Sequence, residues 1–161
     1  MQRLAFLHLT LPYAEKVEQA IGINRFAILA HAALESGWGS SHLALTHHNF
    51  FGLTGYGAPN ANWTGQTTAT TPEHPLKFRS YRQLGDSFLD YGRLIQKHYP
   101  SFVIASANPS RFAHAVAYSP YISERNGDDR SQYEKALRSI MLSLMQLYAL
   151  TITEPSIPPQ T

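Results

Sequence analysis

The order of apolar and polar positions divides the chain into elements. From Phe26 to Leu34 nearly every residue is apolar or small, and a helix apolar on all sides is a buried one. Asn24 is a good N-cap for it, with Gly37 and Gly39 as stop signals. Before it, Pro12 reads as opening a helix to about Ile21, with Ala14, Val17 and Ile21 as its buried stripe and Gly22 as its end. After it, residues 54–78 lose the helical period. Gly55, Gly57, Pro59, Gly65, Pro72 and Pro75, interspersed with threonines, predict short strands and one β-hairpin. Leu84, Phe88, Tyr91 and Ile95 restore the helical spacing, and Phe112, Ala115 and Val116 mark a shorter helix after Pro109. A last helix is expected behind Ser131-Gln132-Tyr133-Glu134, which has the form of a capping box. Its stripe is Tyr133, Leu137, Ile140, Leu144 and Tyr148. The pattern is α+β and helix-dominated, one domain over 1–150, followed by a proline-rich tail over 151–161 expected to be disordered.

Composition narrows the function classes. The chain has 161 residues and 43% hydrophobic content, enough for one real core. Its net charge of +2 is compatible with an anionic polymer but far short of a nucleic-acid signature. There is no cysteine, which excludes disulfides, thiolate nucleophiles and zinc–thiolate sites. Leu4 to Leu11 follows Arg3 like a short leader, but His8 interrupts it and no small-x-small cleavage site follows, so it reads as part of the fold. No apolar run is read as a membrane span. His31 and Glu35 are four apart, and His42, His47 and His48 lie close together. The zincin order is absent and no tetrahedral pattern emerges, so neither metal nor cofactor is expected.

Glu35 is the most informative residue. It falls at the C-terminal end of the buried helix, where burial and the negative helix end both favour the protonated form. A carboxylic acid held protonated is what general acid catalysis requires. A side chain reaching solvent at a frayed helix end, or one paired with a cation, fits the same position.

Three stretches occur in order: Ala33-Leu34-Glu35-Ser36-Gly37-Trp38-Gly39, Asn49-Phe50-Phe51-Gly52-Leu53, and Phe78-Arg79-Ser80-Tyr81 ahead of an amphipathic helix. In these the chain resembles the peptidoglycan glucosaminidases of glycoside hydrolase family 73, from about Leu4 to Tyr148. The resemblance implies a lysozyme-like fold, with a cleft between a helical body and a small β-lobe, and hydrolysis of β-1,4 bonds after N-acetylglucosamine in wall glycan. It implies Glu35 as general acid, Glu73 as a second acidic residue from the β-lobe and Tyr121 as a cleft tyrosine. Tyr121-Ile122-Ser123-Glu124 matches the family's tyrosine segment loosely, and Arg125 to Gln132 looks like an insertion. Trp38, Asn49, Phe51, Gly52 and Tyr56 are the candidate substrate contacts, with core packing an equal alternative for Phe51. A lytic transglycosylase using Glu35 alone and an inactive glycan-binding module are the competing readings.

The expected partner is the glycan strand, with neither nucleic acid nor membrane. A wall hydrolase read without a secretory signal is expected to be made in the cytoplasm and carried to the periplasm by a non-Sec route. A phage lysis protein or a type VI secretion effector would fit. The latter implies a cognate immunity protein filling the cleft, with Glu124 to Arg130 at its rim.

Overall fold

The computed structural model describes residues 2–69, 76–123, 127 and 129–153. The elements run α1 (Arg3–Ile21), α2 (Arg25–Ser36), α3 (His42–His47), β1 (Thr67–Ala69), β2 (Lys77–Arg79), α4 (Leu84–His98), α5 (Pro100–Ala105), α6 (Pro109–Ala117) and α7 (Arg130–Thr153). The expected α+β, helix-dominated architecture is the one observed.

The axis of the helical body is α2. Residues Ala27 through Ala33 are all fully buried, and the alanines among them let α1 and α7 pack against α2 from two sides. Both ends are set as the sequence implies. Asn24 accepts a hydrogen bond from the Phe26 amide at 2.9 Å, and Gly37 adopts a left-handed conformation, φ 56°. The turn that follows needs Gly39: its φ is 74°, and a Cβ there would meet the Phe50 ring at 3.1 Å. Arg25, bonded to both Glu15 and Glu18, clips the start of α2 to α1.

Several boundaries differ from the expectation. α1 begins at Arg3, so Pro12 lies inside the helix and does not open it. The carbonyl whose partner Pro12 removes belongs to His8, and both residues are exposed, which leaves that carbonyl to solvent. α7 starts at Arg130, because the Asp129 carboxylate accepts from the Gln132 amide at 3.0 Å. Asp129 is therefore the N-cap, and Ser131 lies within the first turn. α3 and α5 are short helices that the periodicity did not mark. At 24 residues, α7 is long and apolar enough by composition to cross a membrane. Here it turns Leu137, Met141 and Leu144 into the core and packs on α2 and α6. The proline-rich tail from 154 onward lies outside the described residues.

The β-lobe is a two-stranded antiparallel hairpin, with Thr67 opposite Arg79 and Ala69 opposite Lys77, and one further bridge from Thr54 to Phe78. So small a sheet is marginal alone, and a polar node anchors it to α4. Asp90, 0% exposed, accepts from Arg79 at 2.5 Å, Tyr81 at 2.7 Å, Arg93 at 3.0 Å and Asn60 at 3.1 Å. The Arg79 guanidinium also stacks 4.1 Å from the Trp63 ring centroid. Asp90→Ala leaves a buried guanidinium without its counter-ion, so it should destabilise the protein by about 3–5 kcal/mol. That would lower the melting temperature by roughly 10 °C. Glu15→Gln, at a part-exposed pair, should cost under about 1 kcal/mol. Equal melting temperatures for the two variants would contradict this ranking.

Candidate active site

Glu35 lies one residue from the end of α2, with its side chain 24% exposed at a cleft of about 380 Å³. The walls are residues 51–54, the α4 face carrying Tyr91, Leu94, Ile95 and His98, and Tyr99, Pro120 and Tyr121. Among the described lining residues Glu35 is the sole carboxylate.

A half-buried and a buried side chain hold it. The Tyr133 hydroxyl of α7 donates to Glu35 Oε1 at 2.5 Å. One helical turn before Glu35, His31 places Nε2 3.6 Å from the same oxygen. His31 is 0% exposed, and Nε2 has no hydrogen-bond partner among the described residues. Its Nδ1 pairs with the Tyr91 hydroxyl at 2.7 Å, which fixes the ring. The rings of Phe51, Tyr91, Phe112, Tyr121 and Tyr133 surround it at centroid distances of 4.7–6.4 Å.

This environment reverses the expectation that Glu35 is held protonated. Burial is the largest influence and pushes its pKa up, but the adjacent His31 imidazole and the Tyr133 hydroxyl together outweigh it. The net value lies below that of an ordinary glutamate. Burial and the Glu35 charge in turn raise the Tyr133 hydroxyl far above its usual range, so it remains a donor. Read from the sequence, Glu35 has only burial and the helix end acting on it. The groups that reverse the sign come from a residue four positions back and from one 98 positions away.

The other candidate residues divide by place. Tyr121 and Phe51 join Glu35 in the cleft: the Tyr121 hydroxyl donates to the Phe51 carbonyl at 3.3 Å, and the Phe51 ring stacks on Tyr91 at 3.9 Å. Gly52, φ 60°, brings its backbone so close that a Cβ would stand 4.0 Å from Glu35 Oε2. Asn49 is buried and shapes that loop. Its Nδ2 donates to the Leu53 and Arg79 carbonyls, and its Oδ1 accepts from the Leu53 amide. Trp38 packs edge-on against Phe6 at 5.5 Å beneath Arg3 and does not line the cleft. Tyr56, 69% exposed, lines a neighbouring groove. Glu73, Glu124, Arg125 and Asp128 lie outside the described residues. His31 and Tyr133 were missed as site residues. The four-residue spacing of His31 and Glu35 was the available signal, read only for metal, and nothing local marks Tyr133. Among the described residues no group of three or more potential ligands could hold a metal ion.

A helical body with a small hairpin lobe is the architecture of lysozyme-like glycoside hydrolases. The family model described as glucosaminidase, mannosyl-glycoprotein endo-beta-N-acetylglucosaminidase, matches residues 11–146, and the chain belongs to that family. It is 32% identical over 134 residues to the peptidoglycan hydrolase FlgJ of Pseudomonas aeruginosa, a match covering 74% of this chain and 32% of that protein. The chain thus spans about a third of that relative's length. Among solved structures, the glycoside hydrolase domain of Salmonella typhimurium FlgJ superposes with a TM-score of 0.71 at 27% identity, covering 94% of each chain. A type VI secretion system effector–immunity complex from Pseudomonas protegens shares the fold, with a TM-score of 0.64 at 20% identity over 91% of this chain and 94% of that one.

His31→Gln removes the imidazole beside Glu35, and Tyr133→Phe removes its short hydrogen bond. Each should raise the midpoint of Glu35 ionisation, His31→Gln the more, as followed by carboxyl ¹³C chemical shift against pH. A midpoint unmoved in both variants would show that these side chains do not set it.

Proposed function

We propose that the protein hydrolyses peptidoglycan at the β-1,4 bond after N-acetylglucosamine, with Glu35 as general acid. The observation that carries this reading is the part-exposed carboxylate in the cleft, hydrogen-bonded by the Tyr133 hydroxyl and backed by the buried His31 ring, in a chain of the glucosaminidase family. Similarity to FlgJ proteins supports wall glycan as the substrate.

In the free protein the depressed pKa of Glu35 makes it a carboxylate near neutral pH. A sugar chain laid in the cleft covers the remaining exposed part of Glu35 and strips its water. Burial then gains on the hydrogen bonds, and Glu35 takes up the proton it must deliver. It passes that proton to the glycosidic oxygen as the bond breaks, and water completes the hydrolysis at the oxocarbenium-like carbon. The centre needs a second, anionic or nucleophilic group. Glu73 of the β-lobe and the substrate's own acetamido group are two sources compatible with the chain. Tyr121 and Phe51 form the wall against which the sugar is held.

Glycan of this kind lies outside the cytoplasm, and there we place the site of action. The shared fold with an effector–immunity complex supports delivery as an interbacterial toxin, restrained in the producing cell by a protein that plugs the cleft. Periplasmic targeting should then lyse cells while cytoplasmic expression is harmless, and equal harm from both addresses would contradict a wall target.

Glu35→Gln should keep the fold and lower release of glycan fragments from purified sacculi by about 10²–10⁴-fold. The wild-type fragments should carry reducing N-acetylglucosamine ends. Near wild-type release by a folded Glu35→Gln protein would overturn the assignment, and 1,6-anhydro ends would overturn hydrolysis in favour of transglycosylation. Glu73→Gln should lower kcat strongly if Glu73 is the second group. A loss under tenfold points instead to Glu124, Asp128 or the acetamido group.

A further inference from the structure

Beside the catalytic cleft, a second groove of about 420 Å³ runs between the outer face of α4 and residues 56–60. Leu94 and His98 line both spaces, so the two are continuous along one ridge of the helix. Arg93 and Lys97 stand on the adjoining ridge, about 6 Å apart along the helix axis. Among the described residues that line this groove none is acidic, whereas Arg79, Arg93 and Lys97 all do so.

The charges are not matched locally. Buried Asp90 is the nearby carboxylate, and its two oxygens are shared among Arg79, Tyr81, Arg93 and Asn60. Each of the three Arg79 guanidinium nitrogens is engaged, on Asp90 and on the Thr54 and Tyr56 carbonyls. One carboxylate therefore faces three cations. Arg93 uses only Nε on Asp90, is 37% exposed, and keeps both terminal nitrogens without a described partner. Lys97 is exposed, with no hydrogen bond or ion pair among the described residues. A paired guanidinium edge and a free ammonium at this spacing fit carboxylates.

We infer that this groove is a subsite for the stem peptide of peptidoglycan, whose carboxylates bind Arg93 and Lys97 while the glycan strand occupies the cleft beside Glu35. The inference rests on the wall-glycan reading above. The sugar backbone offers mainly hydroxyl and acetamido groups, and a groove joined sideways to the cleft is reached by what branches from the strand. Tyr56, exposed at the same groove, supplies an aromatic face for the peptide. A shared subsite of this kind makes the protein a reader of peptide-bearing strands, not of glycan in general.

The test compares kcat/KM on three substrates: strands bearing stem peptides, strands stripped of them by an amidase (which leaves the lactyl carboxylate), and a neutral N-acetylglucosamine oligomer. The wild type should prefer peptide-bearing over stripped strands by about tenfold, the worth of two part-exposed ion pairs. Lys97→Gln, which breaks no structural contact, should cut that ratio severalfold, and Lys97→Glu should invert it. Arg93→Gln with Lys97→Gln should bring it near one, the change lying in KM. Equal values on peptide-bearing and stripped strands in the wild type would overturn the stem-peptide subsite even with cleavage intact. If both anionic substrates beat the neutral one equally, the groove belongs to the lactyl carboxylate and the stem-peptide assignment is likewise overturned. A wild type that cleaves none of the three would instead overturn the hydrolase reading, and the subsite with it.

Discussion

A carboxylate cannot sit at the end of a buried helix without partners, and the structure is arranged to supply them. Desolvation opposes the charge on Glu35, and the negative end of α2 opposes it too. His31 answers from the same helix, Tyr133 from α7, and Tyr91 from α4 locks the His31 ring from behind. Three helices thus converge on one acid. The alanine-rich α2 is what lets them come close enough.

The opposite side of the cleft depends on a second buried charge. Asp90 ties the hairpin lobe to α4 through Arg79 and Tyr81, and Asn49 carries the same lobe's backbone into the loop ending at Leu53. Gly52, beside the acid, is therefore placed by interactions that start on β2. Two polar nodes, one around Glu35 and one around Asp90, fix the cleft between them. The one around Asp90 leaves Arg93 half free at the neighbouring groove.

Much of this was legible in the chain because the signals were local. The cap at Asn24, the stop at Gly37, the apolar run between them and the loss of helical period from 54 onward each depend on nearby residues. The misplacements have physical reasons of the same kind. Pro12 was taken as a helix start, yet an exposed helix face tolerates it. Ser131 matched the capping pattern, yet Asp129 two residues earlier provides the cap. Trp38 follows the acid in the motif, but its left-handed backbone, φ 58°, turns the ring onto Phe6 and Arg3. The ionisation of Glu35 was the least legible feature, since its sign depends on a tertiary contact with Tyr133 and on a neutral-looking histidine in an apolar helix.

The central claim is that the cleft holds Glu35 as a carboxylate until substrate covers it and restores its proton. The pH dependence of kcat/KM reports the free protein, and that of kcat reports the complex. Loss of a required acid appears as a fall in rate with rising pH, so the test is where each fall lies. The fall in kcat should lie at a distinctly higher pH than the fall in kcat/KM, measured on the same glycan substrate. Coincident limbs, or a fall in kcat at the lower pH, would contradict it.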